Sequence, residues 1–178
     1  MPTPPRTSLE QIVAAGAELL EAHGLSGLTM QAVATRVGVR APSLYKHVAD
    51  RDALVGLVAD AAAAELGTRL TACDGLAEMA RSLRTWAASR PESFRLVFSG
   101  VGSPTVLATA SEPVLRASAS LAGEHHGLKA ARLLTAWATG FISMELAGAF
   151  QLGGDVDAAF EYGIESIAAA LGDSGLSR

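Results

Sequence analysis

The clearest hydrophobic pattern in the chain lies at residues 28–54, where two short helical segments flank a glycine and a third helix begins. Five apolar side chains of this stretch recur at spacings that bring them into one small core: Val33, Val37, Val39, Leu44 and Val48. The same spacings leave six polar side chains outside that core: Gln31, Arg40, Ser43, Tyr45, Lys46 and His47. This pattern predicts a helix-turn-helix, a motif whose second helix can enter the major groove of DNA.

Residues with special roles at helix ends mark the boundaries of these segments. Thr29 is expected to cap a helix over Met30–Val37, because its hydroxyl can accept a free backbone N–H. Gly38 permits the positive φ needed at the exit, and Pro42 opens the next helix, where its missing N–H costs nothing. Asp50 is expected to cap the third helix.

Another amphipathic helix precedes this motif. A capping box formed by Thr7 and Glu10 is its predicted start, and apolar residues then follow at helical spacing. Gly24 is expected to end it. With the motif, this helix forms a predicted helix-turn-helix domain over residues 1–52.

The chain after residue 52 is almost continuously helical by pattern, with breaks at glycines and prolines. The predicted helices are Ala53–Leu70, Leu76–Ser89, Pro91–Ser99, Thr105–Gly123, Gly127–Phe150 and Val156–Leu171. No alternation of apolar and polar residues is long enough for a strand. The sequence therefore predicts an all-α protein of about nine helices, with a second domain over residues 53–178 and no hinge linker.

The distribution of charge refines this picture. The net charge is −4, yet residues 1–54 hold five basic and five acidic residues, so the excess of acid lies in the rest of the chain. Between Arg36 and Arg51, four basic residues stand against one acid, Asp50. A local basic patch is sufficient to attract phosphate on an acidic protein. An ordinary solvated face is the alternative reading of these charges taken without the motif.

Composition argues against several other classes of protein. The single cysteine, Cys73, excludes a disulfide framework within the chain and any cysteine-based zinc cluster. No apolar run reaches the length of a membrane span, and the N-terminus lacks the apolar stretch of a signal peptide, so we expect a cytoplasmic protein. The adjacent His125 and His126 are expected to be exposed loop residues rather than metal ligands, and we predict no metal and no cofactor.

Motifs of enzymes are missing as well. The sequence has no glycine-rich phosphate loop, no nucleophile elbow and no zinc-protease helix, so we expect no enzymatic activity. Glu145 is the one carboxylate in a strongly apolar segment. We expect it to accept a hydrogen bond from a neighbour or from a ligand rather than to act in catalysis.

The motif resembles the DNA-binding domain of the tetracycline-repressor (TetR) family. The resemblance covers roughly residues 7–56, and the matching letters are Leu28-Thr29, Ala34 through Gly38-Val39, Leu44-Tyr45, His47-Val48, Arg51 and Leu54. The segment WATGFISMELAG also resembles the C-terminal subgroup named for a Trp-His-Gly motif, although Thr139 stands where that subgroup has histidine.

The resemblance implies how each residue of the motif meets a double-stranded DNA operator. Thr29, Tyr45, His47 and Arg51 match positions that bind phosphates, Arg51 with help from the N-terminus of its helix. Base reading then falls to Gln31, Arg40, Ala41, Pro42, Ser43 and Lys46.

A homodimer is implied by the family and favoured by mechanism. One short recognition helix touches only a few base pairs, whereas two related by a two-fold axis reach successive major-groove faces of a near-palindromic site. The last two helices are more apolar than a single buried stripe requires, which indicates burial on two sides. The residues expected at the dimer interface are Phe150, Phe160, Ile164, Ile167 and Leu171.

An inducer site in the second domain is also implied by the resemblance. Its candidate lining residues are Met79, Trp86, Phe94, Phe98, Trp137, Phe141 and Met144. Ordinary core packing is the preferred explanation for each of them taken singly, because an aromatic side chain at helical spacing needs no ligand to explain it. A pocket of this composition suits a small hydrophobic molecule better than a sugar phosphate.

The sequence thus predicts a dimeric regulator, a repressor released from DNA by a small-molecule inducer, and it leaves alternatives open. Repression is the preferred reading, and activation stays open as an alternative. A DNA-binding regulator without a ligand is a second hypothesis, and a helical dimeric interaction module that no longer binds DNA is a third. The basic residues and Tyr45 argue against the third.

Overall fold

The computed structural model of the chain describes residues 7–176. Within that range it contains nine helices and no strand, which confirms the all-α prediction. The helices are α1 (Leu9–Gly27), α2 (Met30–Arg36), α3 (Ala41–Leu44), α4 (Arg51–Thr71), α5 (Gly75–Ser89), α6 (Pro91–Val97), α7 (Pro104–Ala122), α8 (Gly127–Leu146) and α9 (Val156–Leu176). None of them combines the length and the apolar character needed to cross a bilayer.

Two compact units make up the described chain. The first unit consists of the described parts of Met1–Glu65 and of Arg90–Leu107, and the second consists of those of Leu66–Ser89 and Ala108–Arg178. α6 and the loop after it therefore belong with α1 to α3 and most of α4, although they are distant in sequence.

The first unit is built around one hydrophobic core to which α1, α2, α3, α4 and α6 all contribute. Val33, Leu44 and Val48 are buried there, and Val37 and Val39 are partly buried against them, as the pattern predicts. α1 and α4 approach closely at Gly16, where an added Cβ would lie 2.8 Å from a methyl group of Val58. Glycine is needed at that position because any side chain would separate the two helices.

Side-chain caps fix the helix ends of the first unit. Thr29 accepts the N–H of Ala32 at 3.1 Å, and Asp50 accepts the N–H of Ala53 at 2.8 Å, so both predicted caps are confirmed. The prediction for α1 was wrong by one residue: the capping box is formed by Ser8 and Gln11, not by Thr7 and Glu10. Gln11 reaches back to the N–H of Ser8, which gives this register a pair of reciprocal bonds.

In the second unit α5 packs against both α8 and α9. Two aromatic side chains and an arginine join these three helices. Trp137 of α8 stacks on Phe160 of α9 with ring centroids 5.2 Å apart. An added Cβ at Gly163 would lie only 2.1 Å from the same indole, so this glycine provides the space for Trp137. Arg84 of α5 lies over the Phe160 ring at 4.7 Å.

The end of α8 differs from the prediction, which continued the helix to Phe150. Gly148 has a φ of 64°, and its N–H donates to the carbonyl of Glu145. The N–H of Ala149 reaches Met144 O at 2.9 Å. These two bonds form a Schellman motif, which satisfies the last carbonyls and ends the helix at Leu146.

Candidate nucleic-acid interface

Most polar side chains of the helix-turn-helix face solvent, and its large apolar side chains are buried or partly buried. The exposed side chains are Gln31, Arg40, Pro42, Ser43, Tyr45, Lys46 and His47. Ala41 and Thr29 are half-buried. The predicted separation of an outer polar set from an inner apolar set is therefore confirmed. It leaves side chains able to bind phosphates and base edges on one outward surface of α2 and α3, which we call the polar surface.

The short helix α3 follows an extended residue and ends in a hydrogen-bonded turn. Arg40 precedes it with φ −85° and ψ 143°. After the helix, the N–H groups of His47 and Val48 donate to Leu44 O at 2.8 Å and 2.9 Å. Leu44 and Val48 are thereby turned into the core, and Tyr45, which lies between them, is 54% exposed.

Thr29 can serve as a cap and as a phosphate ligand at once. Its hydroxyl oxygen accepts the N–H of Ala32, which uses one lone pair. A hydroxyl carries a proton as well, and that proton stays available to an acceptor outside the protein.

Two cations of the polar surface are without a neutralising partner. Arg36, at the end of α2, pairs with Glu18 of α1 through both Nε and a terminal nitrogen. Arg40 and Lys46, by contrast, form no ion pair with any residue that the structure describes. Local positive charge is thus concentrated where α3 begins and ends.

Arg51 has a structural task that the sequence did not reveal. Its Nε donates to Leu28 O at 2.8 Å, and a terminal nitrogen donates to Leu25 O at 2.6 Å. The guanidinium therefore joins the start of α4 to the turn that links α1 and α2. Two of its five N–H donors are used in these bonds, and its side chain is 41% exposed, so the predicted phosphate contact of Arg51 stays a prediction.

Two carboxylates hold the segment Arg90–Leu107 within the first unit, and sequence reasoning missed both. Glu21 of α1 accepts the N–H of Ser93 at 2.8 Å and that of Glu92 at 3.3 Å, and so caps α6. Asp60 of α4 accepts the N–H of Ser103 at 2.6 Å. Such caps leave no local signal, because donor and acceptor lie far apart in the chain.

The residues predicted to line an inducer pocket are distributed over both units. Phe94 and Phe98 are in the first unit, with ring centroids 5.1 Å apart. In the second unit Trp86 is fully buried, Met144 is 47% exposed, and Trp137 and Phe141 are partly buried next to Phe160.

Among the predicted pocket residues, Met79 lines a cavity formed by described residues of the second unit. This cavity has a volume of about 30 Å³, and its walls come from α4, α5, α7 and α8. The lining residues are Leu70, Met79, Ala80, Leu83, Val114, Leu134, Thr135 and Ala138. Seven of these eight side chains are apolar and none is charged.

Most of the residues predicted at a dimer interface are placed in the chain's own interior. Phe160, Ile164 and Leu171 are buried, Ile167 is partly buried, and Phe150 is exposed. Phe160 of α9 packs against Trp137 of α8 and lies under Arg84 of α5, because a single chain must first cover its own core. Phe160 and Ile164 thus expose almost no surface to a partner.

The expectation for Glu145 is confirmed. It accepts hydrogen bonds from Arg84, whose guanidinium also binds Asp157 at 2.6 Å. The bond to Glu145 is the main reason that the pKa of Arg84 is raised above its ordinary value. This ion pair joins α5 to α8 and to the start of α9.

An all-helical protein with an N-terminal helix-turn-helix and an outward polar surface has the architecture of a DNA-binding regulator. Two family models match the chain. One, described as bacterial regulatory proteins of the tetR family, matches residues 12–58. The other, described as a tetracyclin repressor-like C-terminal domain, matches residues 76–167, which is just over half of the chain. The chain therefore belongs to the TetR family of transcriptional regulators; the Trp-His-Gly subgroup stays a prediction.

Individual relatives agree with this family. An HTH-type transcriptional regulator of Mycobacterium bovis is 29% identical over 104 residues, which are 53% of this chain and 43% of that regulator. The chain thus spans less than half the length of this curated relative. The tetracycline repressor protein class E of Escherichia coli is 33% identical over 64 residues, 36% of this chain and 30% of the repressor.

Solved structures extend the similarity to nearly the whole chain. A TetR variant from Acinetobacter baumannii AYE, solved in complex with minocycline, has a TM-score of 0.70 and 27% identity, covering 92% of this chain and 96% of that one. A regulator of Streptomyces coelicolor described as a TetR has a TM-score of 0.78 and 21% identity, with coverages of 95% and 99%. Because its identity is only 21%, the similarity to the Streptomyces coelicolor regulator concerns the fold alone.

Proposed function

We propose that this regulator is a dimeric repressor that occupies a near-palindromic operator and leaves it when a small hydrophobic ligand binds. The observation that carries the proposal is the polar surface, where Arg40 and Lys46 are exposed and form no ion pair with any described residue, while the apolar side chains beneath it form a core. DNA contact belongs to residues 1–52 in this proposal, and ligand binding and dimerisation belong to residues 53–178.

Phosphate contacts position the protein on the duplex. Tyr45 and His47 donate from an O–H and an N–H, and Thr29 donates its hydroxyl proton next to the N-terminus of α2. Arg51 contributes indirectly. Its hydrogen bonds to the carbonyls of Leu25 and Leu28 tie the start of α4 to the turn before α2, and so hold α2 in place relative to α4.

Base contacts supply the sequence preference. Arg40 favours the O6 and N7 atoms of guanine, Gln31 favours adenine, and Ala41 or Pro42 can contact a thymine methyl group. Ser43 and Lys46 complete this set. All of them except Ala41 are exposed, so reading a base requires no rearrangement of the core.

A second copy of the chain covers the outward faces of α8 and α9. Leu133, Ala136, Gly140 and Met144 form an exposed stripe along α8. Ala159, Tyr162 and Ser166 form another along α9. Small residues in both stripes allow close approach of helices, as in other helix–helix contacts. These stripes take the place of Phe160, Ile164 and Leu171, which are buried, whereas Ile167 and Phe150 keep exposed surface and stay candidates for the interface.

Ligand binding requires a larger cavity in the second unit. The cavity of about 30 Å³ is far below the roughly 300–1,000 Å³ of ordinary small-molecule sites. A ligand therefore selects a conformation in which the cavity is larger, and the difference in affinity between the two conformations drives release from DNA. The minocycline complex of the Acinetobacter relative supports a small-molecule ligand for this class of protein.

Selection of bound fragments from randomised DNA, followed by salt titration of the best site, tests the DNA half of the proposal. We expect a two-fold-symmetric consensus whose affinity falls steeply with salt. Arg40→Ala should relax the preference at one position of each half-site by about 1–3 kcal/mol, whereas Tyr45→Phe should weaken all sequences equally. Arg116→Ala removes the same charge from an exposed position on α7 and serves as the control.

Sedimentation of two matched variants tests the dimer. Leu133 and Leu128 are both 52% exposed on α8, but only Leu133 lies on the proposed stripe. Leu133→Glu should give monomers, and Leu128→Glu should leave the dimer intact. A sequence-independent DNA result, or a wild-type monomer, would contradict the corresponding half of the proposal.

A further inference from the structure

The end of α1 contains a bend that lies against α6 of the same unit. Gly24 has a φ of 67°, outside the helical range, so α1 is kinked there before its last turn. An added Cβ on Gly24 would lie 3.8 Å from Oε2 of Glu92, the second residue of α6. The bend of α1 and the start of α6 are therefore neighbours.

Glu21 binds α6 on the side of the bend that belongs to the body of α1. Its carboxylate accepts the N–H of Ser93 at 2.8 Å and that of Glu92 at 3.3 Å. Both N–H groups belong to the first turn of α6, where a helix offers them no partner of its own. Ser93 is buried, so water is a poor substitute for the carboxylate.

Arg51 binds the chain on the other side of the bend. Its guanidinium donates to the carbonyls of Leu25 and Leu28, and Leu28 is fully buried in the core. Thr29, the cap of α2, follows directly. The few residues between Glu21 and Thr29 are thus tied to α6 at one end and to α4 at the other, and α2 starts from them.

We propose that Glu21 is a positioning residue for operator binding: it fixes the bend of α1 against α6, and thereby the turn from which α2 starts. This inference rests on the proposed DNA-binding function. Glu21 lies on α1, outside the polar surface and outside the hydrophobic core, and it acts through the turn that Arg51 ties to α4. Without Glu21 the polar surface keeps its side chains but loses the fixed orientation of α2.

The expected effect on DNA binding has the opposite sign to that of charge alone. Removal of a carboxylate from a DNA-binding unit reduces the repulsion of phosphates, so charge alone predicts that Glu21→Ala binds every DNA more tightly. A positioning role predicts weaker binding, and only to the operator. Non-specific attraction to phosphates tolerates a change in the orientation of α2, whereas base contacts do not.

Affinities of the full chain for its selected operator and for a scrambled duplex of equal length measure this effect. Glu21→Ala should lower the ratio of the two affinities about tenfold, within the range usual for coupling between sites. Glu21→Gln keeps one acceptor oxygen and should lower the ratio about threefold, because a neutral hydrogen bond is roughly half as strong as a charged one. Glu10→Ala and Glu10→Gln change an exposed carboxylate of the same helix and should not lower it.

Two results would overturn the inference. One is a ratio in Glu21→Ala equal to that in Glu10→Ala, and the other is an equal loss of affinity for both duplexes, which indicates lost stability. Melting temperatures identify any unfolded variant, and Glu21→Gln decides alone if Glu21→Ala does not fold. A wild type that selects no DNA sequence disproves the proposed function. A wild type that selects an operator, with ratios unchanged in the variants, disproves the role of Glu21 alone.

Hydrogen exchange gives a test that needs no DNA. The N–H groups of Leu28 and Thr29 donate to Leu25 O and Gly27 O in the turn before α2. Both should exchange faster in Glu21→Ala than in Glu10→Ala. Faster exchange confined to α6 would show that Glu21 caps that helix without positioning the turn, and the inference would be wrong.

Discussion

The helix-turn-helix region and the packing of α5, α8 and α9 are held together by contacts of different reach. In the first, the helix ends are capped locally, Thr29 binding Ala32 and Asp50 binding Ala53, each across three residues, and Arg51 adds a bond to Leu28 across 23 residues. In the second, Arg84 binds Glu145 across 61 residues, and Arg81 binds Glu161 across 80. Contacts between residues close in the sequence can be recognised from the sequence itself. Contacts between distant residues form only once the helices have packed.

This difference predicts where substitutions act. A changed cap in the helix-turn-helix region should affect one helix end. A changed contact in the second unit should affect three helices together, because Trp137, Phe160 and Arg84 join α5, α8 and α9 in one cluster.

The largest effect is expected at Gly163. A methyl group there would lie 2.1 Å from Cζ2 of Trp137, so Gly163→Ala must displace the indole from its place on Phe160. We expect a loss of about 3 kcal/mol in the free energy of unfolding, the upper part of the range for overpacking. Chemical unfolding at fixed protein concentration measures it.

Gly56→Ala is the matched control, because an added Cβ there meets nothing within 4 Å. Its stability should change by less than about 1 kcal/mol, with a gain favoured by the better helix propensity of alanine. Equal losses in the two variants would show that glycine flexibility, and not space for Trp137, determines the effect.

The second effect concerns Arg84, whose side chain is 18% exposed and whose partner Glu145 is 31% exposed. Arg84→Met should cost about 2 kcal/mol in unfolding free energy, because it leaves a half-buried carboxylate without its charged donor. Arg81→Met breaks a pair in which both side chains are at least 40% exposed and should cost less than about 1 kcal/mol. If the two variants are equally stable, the α5–α8–α9 cluster does not depend on the buried pair.

The same contrast explains what the sequence could reveal. Exposure of Arg40, Tyr45 and Lys46 follows from the spacing of the apolar residues around them, and it was predicted correctly. The role of Arg51 was not visible, because a guanidinium can reach the carbonyl of Leu28, 23 residues away, and no local pattern marks that acceptor.

The face of α9 was misread for a related reason. Its large residues, Phe160 and Ile164 among them, were assigned to a partner because the helix is apolar on more than one side. The structure turns them inward and leaves Ala159, Tyr162 and Ser166 outside. Periodicity identifies an apolar face, but it does not say whether the chain's own helices or a second copy will cover it.

A smaller effect is expected from the local cap of α2 in the helix-turn-helix region. Thr29→Ala removes the cap of α2 and should lower the unfolding free energy by about 1 kcal/mol. Thr29→Ser keeps the hydroxyl and should retain most of the stability. Hydrogen exchange should show the loss confined to the first turn of α2; faster exchange in α8 or α9 would contradict a purely local role.

The smallest effect is the dependence of the stability of the second unit on pH in the acid range. The hydrogen bond from Arg81 lowers the pKa of Glu161 below its ordinary value. A carboxyl with a lower pKa in the folded chain than in the unfolded chain stabilises the fold when ionised, and this contribution is lost as the pH falls through the folded pKa. The loss should therefore occur in acid, below the ordinary pKa of a glutamate, and neutral pH should show the full contribution. Glu161→Gln should flatten the acid limb of the stability curve relative to wild type, whereas Glu10→Gln, an exposed residue of α1, should leave it unchanged. A wild-type acid limb that Glu161→Gln does not alter would show that the exposed Arg81–Glu161 pair contributes nothing to the stability of the fold.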